Sequence, residues 1–349
     1  MKQKLYFICT DGKTPAGGVK QIYRQVDILN KNGYDACVVH RKKGFRHKWF
    51  KNETKIIYNL SLFKDIENII LKKEFKPYKA VKNYIRSKND DVIEESGIII
   101  FPEIYGPTIN LILPNMKKVV FNQNCFYTFD NCEPNIISSS SIYKNDTNFL
   151  GTIVVSENSK NYIEFAFPNT KVYRIKLGID NQKFFYNQTA KEKLIAYMPR
   201  KRKDDITQII QILHSRNNLN NWNFIEIDNK TEDEVATILN KSTFFLSLNH
   251  KEGFGLPPAE AMASGCITIG FTGHGGKEYF KPEFTYEIED GNIIEFISQV
   301  EKTINAYDNN PNEFERKAKA ASMFIKTNYN MEEEEKSIIT VWDQLLKNQ

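Results

Sequence analysis

Short apolar runs alternate with stretches of helical spacing along the first half of the chain. The run KLYFIC is followed by Val19, Ile22, Val26 and Leu29 at three- and four-residue intervals, and then by Gly33 and the run ACVV. Apolar residues at those intervals predict an amphipathic helix, and the short flanking runs predict buried strands. Further runs of this kind follow at 97–101, 118–121, 152–156 and 171–175. The first half therefore predicts an α/β domain with a parallel sheet.

The second half of the chain repeats this alternation after Gly178. Thr231 and Glu234 have the spacing of a capping box, which predicts that a helix begins there. Pro257 and Pro258 predict the first turn of another helix, because a backbone N–H is not needed at that position. Strand-like runs lie at 193–198, 223–227, 243–248 and 266–270, and helical spacing extends over 205–215. These signals predict a second doubly wound α/β domain.

The domain boundary is expected near Gly178, where a glycine and polar residues follow a strand. The last segment begins with four consecutive glutamates and places Ile338, Trp342 and Leu345 at helical spacing. The expected organisation is a first Rossmann-like domain that binds acceptor, a second that binds donor, and a terminal helix that packs back toward the first, over residues 1–178, 179–330 and 331–349.

Composition narrows the class of protein. The chain has 349 residues, 41% hydrophobic and 26% charged, which is typical of a globular protein large enough for two domains. No apolar run approaches the ~20 residues that span a bilayer, and the N-terminus lacks the pattern of a signal peptide. The five cysteines are odd in number and scattered, as expected for reduced thiols. The sequence therefore predicts a cytoplasmic protein.

Charge is distributed unevenly along the chain. Residues 1–178 contain 28 Lys and Arg against 17 Asp and Glu, whereas the remaining residues contain 20 against 26. The stretch HRKKGFRHKWFK holds six of these cations, interleaved with Phe45, Trp49 and Phe50. Such a stretch suits an anionic membrane surface or a single-stranded nucleic acid, and a solvated loop is the alternative.

The segment HKEGFGLPPAEAMASG combines two glutamates with a glycine-rich turn and a helix start. Ligands of open α/β sheets bind beyond the carboxyl ends of strands, and a helix N-terminus there attracts phosphate. Backbone N–H groups of Phe254, Gly255 and Leu256 would cradle a diphosphate. Glu260 would accept hydrogen bonds from ribose hydroxyls, and Glu252, in the loop before the helix, would contact a sugar. Two solvent-facing glutamates beside a turn are the alternative.

Four consecutive cations, Arg200 to Lys203, follow the first predicted strand of the second half. At the ligand edge of a sheet this cluster suits a diphosphate, because an arginine fork matches phosphate oxygens and a lysine adds a point charge. A solvated basic turn is the alternative. The chain has no Asp-x-Asp pair and no three ligands with zinc-site spacing, so no metal is expected.

The segment EGFGLPPAEAMASG is similar to the Glu-x7-Glu signature of the retaining glycosyltransferases of family 4, whose fold is GT-B. Other segments resemble blocks of that family and occur in the same order: PAGGVKQIYRQVDILNKNGYDACVV, VVSENSKNYIEFAF, YRIKLGIDNQKF and GHGGKEYF. The resemblance covers most of the chain. It implies the fold class α/β, with two Rossmann-like doubly wound domains facing across a cleft and the C-terminal helix packing back.

The resemblance also implies roles for individual residues. It assigns Arg200 and Lys203 to the donor diphosphate, with Lys201 or Arg202 as alternatives in a loop shorter than the common form. The expected catalytic set is Glu252, Arg200 and Lys203, and the expected donor-binding set is Gly17, Gly18, Phe254, Gly255, Leu256, Glu260 and Arg202.

The first half departs from the family at the strand end where many members carry a catalytic His. The comparable segment reads IIIFPEIYGP, with Glu103 and no His. Asn122 and Asn124 follow the next strand. We expect these three residues to contact the acceptor or a sugar, and a strand-end turn held by its own amides is the alternative.

The function implied by the resemblance is transfer of a sugar, with retention of configuration, from a nucleoside-diphosphate sugar to a glycan, lipid-linked or other acceptor. No metal or other cofactor is expected. Surface polysaccharide biosynthesis is the expected setting, with peripheral contact of residues 40–51 with the inner face of an anionic membrane. The alternatives are a GT-B sugar-nucleotide 2-epimerase, a DNA-modifying glycosyltransferase and a non-catalytic glycan-binding protein.

Overall fold

The computed structural model describes residues 3–12, 14–72, 88–132, 141–144 and 146–347. The chain forms two compact units. Unit 1 comprises Met1–Ile175 and Glu335–Gln349, and unit 2 comprises Lys176–Glu334.

Unit 1 is built on a sheet of seven parallel strands in the order β3-β2-β1-β4-β5-β6-β7. The chain winds outward from β1 in one direction and then from β4 in the other, so these neighbours form the topological switch point. Every residue of β4 is buried, as expected for a parallel strand covered on both faces. The strands are β1 (Lys4–Ile8), β2 (Asp35–His40), β3 (Ile56–Tyr58), β4 (Ile98–Pro102), β5 (Lys117–Asn122), β6 (Phe149–Val154) and β7 (Val172–Arg174).

The helices of unit 1 cover this sheet. The face of the first helix that carries Ile22, Val26 and Leu29 is buried, as the three- and four-residue spacing predicts. The third begins after Ser156, whose side chain accepts a hydrogen bond from the backbone N–H of Ser159. The helices are α1 (Gly17–Lys31), α2 (Leu60–Asp65) and α3 (Glu157–Ala166), with a short π-helix at Ile66–Ile70 after α2.

Unit 2 is built on five parallel strands in the order β12-β11-β10-β8-β9, which places its switch point between β8 and β10. The strands are β8 (Glu192–Tyr197), β9 (Asn223–Glu226), β10 (Ser242–Glu252), β11 (Ile267–His274) and β12 (Thr285–Glu287). The helices are α4 (Lys203–Arg216), α5 (Glu232–Lys241), α6 (Leu256–Ala263), α7 (Ile293–Asn309) and α8 (Pro311–Asn328).

The last helix, α9 (Met331–Lys347), belongs to unit 1 from Glu335 onward. Trp342 is fully buried against Phe7 of β1, with ring centroids 5.8 Å apart. Its indole N–H donates to the side-chain oxygen of Gln25 at 3.3 Å. The terminal helix therefore packs on the sheet of unit 1.

The predicted fold class is confirmed: both units are doubly wound parallel α/β units and the last helix packs back on the first. The capping box of Thr231 and Glu234 is present at the start of α5. One local prediction is wrong: Glu252 is not in a loop but is the last residue of β10. The strand continues through a bulge, where Lys251 has φ +47°, and Glu252 then pairs in register with His274 of β11.

Candidate functional site

The candidate site of unit 2 lies at the carboxyl ends of β8 and β10, the two strands of the switch point. Lys201 follows β8, and its Nζ lies 2.7 Å from a carboxylate oxygen of Glu252 at the end of β10. Both side chains are about one-fifth exposed, at 24% and 20%. The same Nζ also donates to the carbonyl of His250 at 3.4 Å. A half-buried ion pair therefore joins the two strand ends where ligands of such sheets bind.

The turn between β10 and α6 requires glycine. Gly255 is the N-cap of α6 and has φ +85°, a left-handed conformation that side chains disfavour. A Cβ there would lie 2.3 Å from Nδ2 of Asn249 and 2.9 Å from the hydroxyl of Tyr279. Pro257 and Pro258 occupy the first turn of α6, as predicted. Glycine is thus required for packing against Asn249 and Tyr279. The helix N-terminus that follows it favours an anion.

Tyr279, which the sequence analysis missed, lies at the centre of this turn. Its hydroxyl is within hydrogen-bonding distance of the carbonyl oxygens of Phe254, at 3.1 Å, and of Gly255. Burial raises the pKa of Tyr279 well above its ordinary value, and the nearby carboxylates of Glu252 and Glu260 add to this. The hydroxyl of Tyr279 therefore braces the glycine turn, near enough to the two glutamates of the motif for their charges to act on it.

Arg202 is held by a network within unit 2. Its guanidinium contacts Nδ1 of His250 at 2.7 Å and a carboxylate oxygen of Asp205 at 2.6 Å, and it also pairs with Asp290. It lies over the ring of Phe271, 4.9 Å from the centroid. Its Nε is buried and has no hydrogen-bond partner in the protein. Arg202 is thus fixed beside the site, with one donor unused.

The other predicted cations are more exposed. Arg200 is exposed in the turn after β8, and Lys203 is exposed at the first position of α4. Neither forms an ion pair within the described ranges of the chain. The residue that reaches Glu252 is instead Lys201, which the sequence analysis gave only as an alternative.

Three of the candidates in unit 1 are buried and engaged by the protein. Asn122 donates to the hydroxyl of Thr128 at 2.8 Å, although its Oδ1 has no partner. Asn124 caps the turn that follows it by accepting from the N–H of Phe126 at 3.2 Å. Glu103 is 6% exposed. The structure therefore favours the alternative given above, a strand-end turn held by its own amides, and contact with a sugar stays a prediction.

Glu103 has a strongly perturbed carboxyl group. Burial raises its pKa from the ordinary value of 4.5 to about 7, against the opposing effect of backbone N–H donors such as that of Gln123, 3.1 Å from Oε2. Gln123 also packs beside Gly18 of α1, where a Cβ would lie 3.2 Å from its amide. Gly17 is the first residue of α1. Gly18 and Glu103 are thus both neighbours of Gln123.

The aromatic residues of the basic stretch pack on one another. Trp49 and Phe50 have ring centroids 4.5 Å apart, and Phe45 lies 4.9 Å from His47. Tyr23 of α1 lies beneath them, 5.2 Å from Phe50. These rings form a small cluster on the surface of unit 1 rather than a row of separate exposed side chains.

Two histidines in this cluster come close to Cys9, at the end of β1, with possible ligand atoms within 4.8 Å of one another. Their ring nitrogens are already engaged. His40 contacts the hydroxyl of Tyr23 at 2.6 Å and Asp11 at 2.8 Å. His47 contacts the carbonyl of Thr10 at 3.1 Å, and its other ring nitrogen accepts from the indole N–H of Trp49 at 3.3 Å. These contacts account for the histidines as structural residues, and no motif in the sequence predicts that they meet.

None of the helices in the described ranges has the length and hydrophobicity required of a bilayer-spanning segment. Contact of residues 40–51 with a membrane stays a prediction.

Known proteins resemble this chain at two levels. A segment, residues 202–321, matches the family Glycosyl transferases group 1. An alpha-1,6-glucosyltransferase of Actinobacillus pleuropneumoniae serotype 7 (strain AP76) is 34% identical over 84 residues, which is 24% of each chain. The present chain thus spans about a quarter of the length of that curated relative.

The fold as a whole resembles solved structures along its full length. Sucrose-phosphate synthase from Thermosynechococcus elongatus superposes with a TM-score of 0.64 over 100% of both chains, at 14% identity. The pneumococcal O-GlcNAc transferase GtfA, solved in complex with UDP and GlcNAc, superposes with a TM-score of 0.66 over 99% of both chains, at 11% identity. The chain therefore has the GT-B fold.

Proposed function

Because the chain has the GT-B fold and residues 202–321 match the glycosyl transferases group 1 family, we propose that this protein is a retaining glycosyltransferase. Its donor is a nucleoside-diphosphate sugar, bound at the carboxyl ends of β8 and β10. The observation that carries the proposal is the ion pair of Lys201 and Glu252 beside the glycine turn of Gly255, at the switch point of unit 2.

The diphosphate is the part of the donor that this edge fits best. Arg200 and Lys203 are exposed cations with no carboxylate partner in the described ranges, and the unused Nε of Arg202 adds a third donor. The N-terminus of α6 begins directly after Gly255 and favours negative charge. We assign Arg200 and Lys203 to the diphosphate, as the resemblance implies, with the backbone near Gly255 opposite them.

The two glutamates orient the rest of the donor. Glu260, half-buried in the second turn of α6, accepts from the ribose hydroxyls. Glu252, already held by Lys201, accepts from hydroxyls of the transferred sugar. Because the pair fixes the carboxylate before the donor arrives, little reorganisation is required on binding.

The chemical step breaks the bond between the anomeric carbon and the diphosphate oxygen and forms a bond to an acceptor hydroxyl on the same face. In the proposed front-face reaction, the departing phosphate accepts the proton of that hydroxyl. Negative charge develops on the diphosphate, where Arg200 and Lys203 stabilise it. No metal ion is required in this scheme, since these cations serve the same purpose.

The acceptor is a glycan, lipid-linked or other hydroxyl-bearing molecule, and surface polysaccharide biosynthesis is the setting that we propose. UDP in the complex of the pneumococcal enzyme supports testing uridine nucleotides first. A cytoplasmic location, with or without peripheral membrane contact, is part of the proposal.

Thermal-shift screening with uridine, guanosine, adenosine, cytidine and thymidine diphosphates tests the donor assignment, because a ligand that binds the folded state raises the melting temperature. We expect one diphosphate to stabilise the parent protein and to lose this effect in Glu260→Ala. A sugar nucleotide incubated without acceptor then separates transferase from 2-epimerase, since only the latter releases an epimer. Stabilisation by none of the nucleotides would contradict the proposal.

A further inference from the structure

The basic loop, residues 40–51, is anchored at the ligand edge of unit 1. Asp11, just beyond the end of β1, accepts from the backbone N–H of Arg41 at 3.2 Å and of Lys42 at 2.9 Å. The same carboxylate contacts His40 at 2.8 Å. The start of the loop is therefore fixed at the carboxyl ends of β1 and β2, on the edge where ligands of such sheets bind.

The two arginines of the loop form hydrogen bonds with other groups of the protein. Arg41 donates to Glu67 at 2.6 Å. Arg46 donates to the side chain of Asn52 at 2.6 Å and to the carbonyl of Thr54 at 2.9 Å. These contacts, together with the packed aromatic rings, tie the loop to the rest of unit 1.

Three lysines of the loop differ from its arginines in their partners. Lys42, Lys43 and Lys48 are exposed, and within the described ranges of the chain no carboxylate lies within ion-pair distance of them. All three line a cavity of about 780 Å³, together with Arg46 and Trp49. Lys42 and Lys43 also line a neighbouring cavity of about 480 Å³. Unpaired cations that line a volume of this size are suited to an anionic ligand.

The two acids that line the second cavity, Asp90 and Asp11, already accept hydrogen bonds from other groups. Asp90 accepts from the backbone N–H groups of Leu60 and Ser61 at 2.8 and 2.9 Å, at the start of α2. Asp11 is engaged as described above. The positive charge of the lysines is therefore not neutralised by carboxylates in hydrogen-bonding contact with them.

We propose that Lys42, Lys43 and Lys48 form an acceptor subsite that binds a phosphate or carboxylate group, so that the acceptor is an anionic saccharide. This inference rests on the proposed function, which requires an acceptor, and it adds the chemical class of that acceptor. A sugar ring carrying the anion fits the aromatic side of the cavity, because Trp49 lies beside the lysines there.

The aromatic rings argue against insertion of the loop into a membrane. Interfacial segments present Trp and Phe to the acyl boundary. Here Trp49 and Phe50 are half-buried and face each other and the ring cluster over Tyr23. A basic cavity at a strand edge, with its aromatic rings packed on one another, fits a small anion better than a lipid surface.

The test compares two triple variants in the full-length protein. One carries Lys42→Ser, Lys43→Ser and Lys48→Ser. The control carries Lys31→Ser, Lys55→Ser and Lys171→Ser, three exposed lysines of the same unit, of which Lys31 is paired with Glu335 and Lys55 with Asp35. Both variants lose the same formal charge, so a general effect of net charge is the same in both, and their melting temperatures report any stability lost with the two ion pairs of the control.

The probes are glucose 6-phosphate, glucuronate and glucose, titrated by NMR with uridine diphosphate at saturation so that the donor site is filled. We expect the parent and control proteins to bind the two anions roughly tenfold more tightly than glucose, as charge-assisted hydrogen bonds would give. The loop variant should lose that preference. Equal binding of the anions by parent and loop variant, or no preference in the parent, would overturn the inference.

Two further measurements separate other occupants and the proposed function itself. The first tests whether the parent binds phosphatidylcholine–phosphatidylglycerol vesicles or a short DNA duplex. If the loop variant loses this binding while its anion binding is unchanged, the lysines serve that surface and the subsite is overturned. The affinity for the five nucleoside diphosphates of the thermal-shift screen, measured without the probes, reports on the proposed function separately. Its absence, with the anion preference intact, would contradict the transferase and leave the anion site established.

Discussion

Cations stand at the carboxyl ends of the parallel strands in both units, but the two units hold them differently. In unit 2, Lys201 is paired with Glu252 at 2.7 Å, and Arg202 is paired with Asp205 and Asp290. These charges are balanced before any ligand binds. Groups fixed in this way suit a site that must orient a sugar with little rearrangement. Arg200 and Lys203, exposed and without an ion pair in the described ranges, stay available beside them for the diphosphate.

In unit 1 the exposed lysines of the basic loop have no such partners in the described ranges, although Arg41 is paired with Glu67. Unbalanced cations attract an anion from a distance but orient it less strictly. The comparison suggests a division of tasks, in which the edge of unit 2 performs positioning and catalysis and the edge of unit 1 attracts an anionic acceptor. The predictions below test it, beginning with the largest expected effect.

The backbone of the unit 2 site should tolerate substitution least. Gly255→Ala introduces left-handed strain and a clash of its Cβ with Asn249, which together should cost about 2–5 kcal/mol of stability. Gly291→Ala is the matched control, because Gly291 has φ +82° but nothing within 4 Å of the added Cβ. It should cost only about 1–2 kcal/mol. Equal losses in urea unfolding would show that the close approach at Gly255 is unimportant.

The buried carboxyl group of Glu103, at the edge of unit 1, should make the stability of the protein depend on pH. Burial raises the pKa of Glu103 from 4.5 to about 7, so the folded state holds its proton more tightly than the unfolded state. The contribution to stability is therefore present below pH 4.5 and is lost as the pH rises to about 7. The loss amounts to about 3 kcal/mol.

Glu103→Gln should remove this dependence. The free energy of unfolding of parent and variant is measured from pH 4 to pH 8. The parent should gain stability relative to the variant as the pH falls from 8 to 4. A difference that is independent of pH would mean that the carboxyl of Glu103 titrates normally.

Paired and unpaired cations of unit 2 should respond differently to removal. Arg200→Ala and Lys203→Ala should each lower turnover roughly 100-fold with little change in melting temperature, because both side chains are exposed. Lys201→Ala should lower turnover and also stability, since it leaves the carboxylate of Glu252 without its partner. Parental turnover in either exposed variant would remove that residue from the diphosphate site.

Glu260→Ala should weaken binding of the nucleoside diphosphate by about 1.5–3 kcal/mol, because the ribose hydroxyls lose a charged acceptor. Isothermal titration measures this directly. Glu232→Ala, a half-buried glutamate at the start of α5, is a suitable control and should bind the nucleotide like the parent. An unchanged affinity in Glu260→Ala would remove this residue from the ribose contact.

The sequence predicts features that depend on neighbours along the chain. The capping box of Thr231 and the prolines at the start of α6 are local signals, and both helices begin where these signals place them. The alternation of strands and helices likewise gives the two parallel sheets. The short strands β3 and β12, three residues each, were not predicted, whereas β7, equally short, was predicted from the longer run at 171–175 that contains it.

The contacts within the sites could not be predicted, because they join distant segments. Lys201 and Glu252 are 51 residues apart, and their contact depends on the adjacency of β8 and β10. The bulge that keeps Glu252 in the strand depends on pairing with β11. The only indication of Tyr279 in the sequence was its place in the segment GHGGKEYF. The ring cluster over Tyr23 changed the interpretation of Trp49, which the sequence had suggested as a membrane or nucleic-acid contact.

The most direct test of the central claim is sugar transfer by the parent protein in the presence of EDTA. The donor is the sugar nucleotide whose diphosphate stabilises the protein, and the product is analysed by NMR of its anomeric proton. If the cations of unit 2 hold the diphosphate, transfer should proceed at the same rate with and without the chelator, and the product should have the anomeric configuration of the donor. Loss of transfer in EDTA, or a product of inverted configuration, would contradict the account.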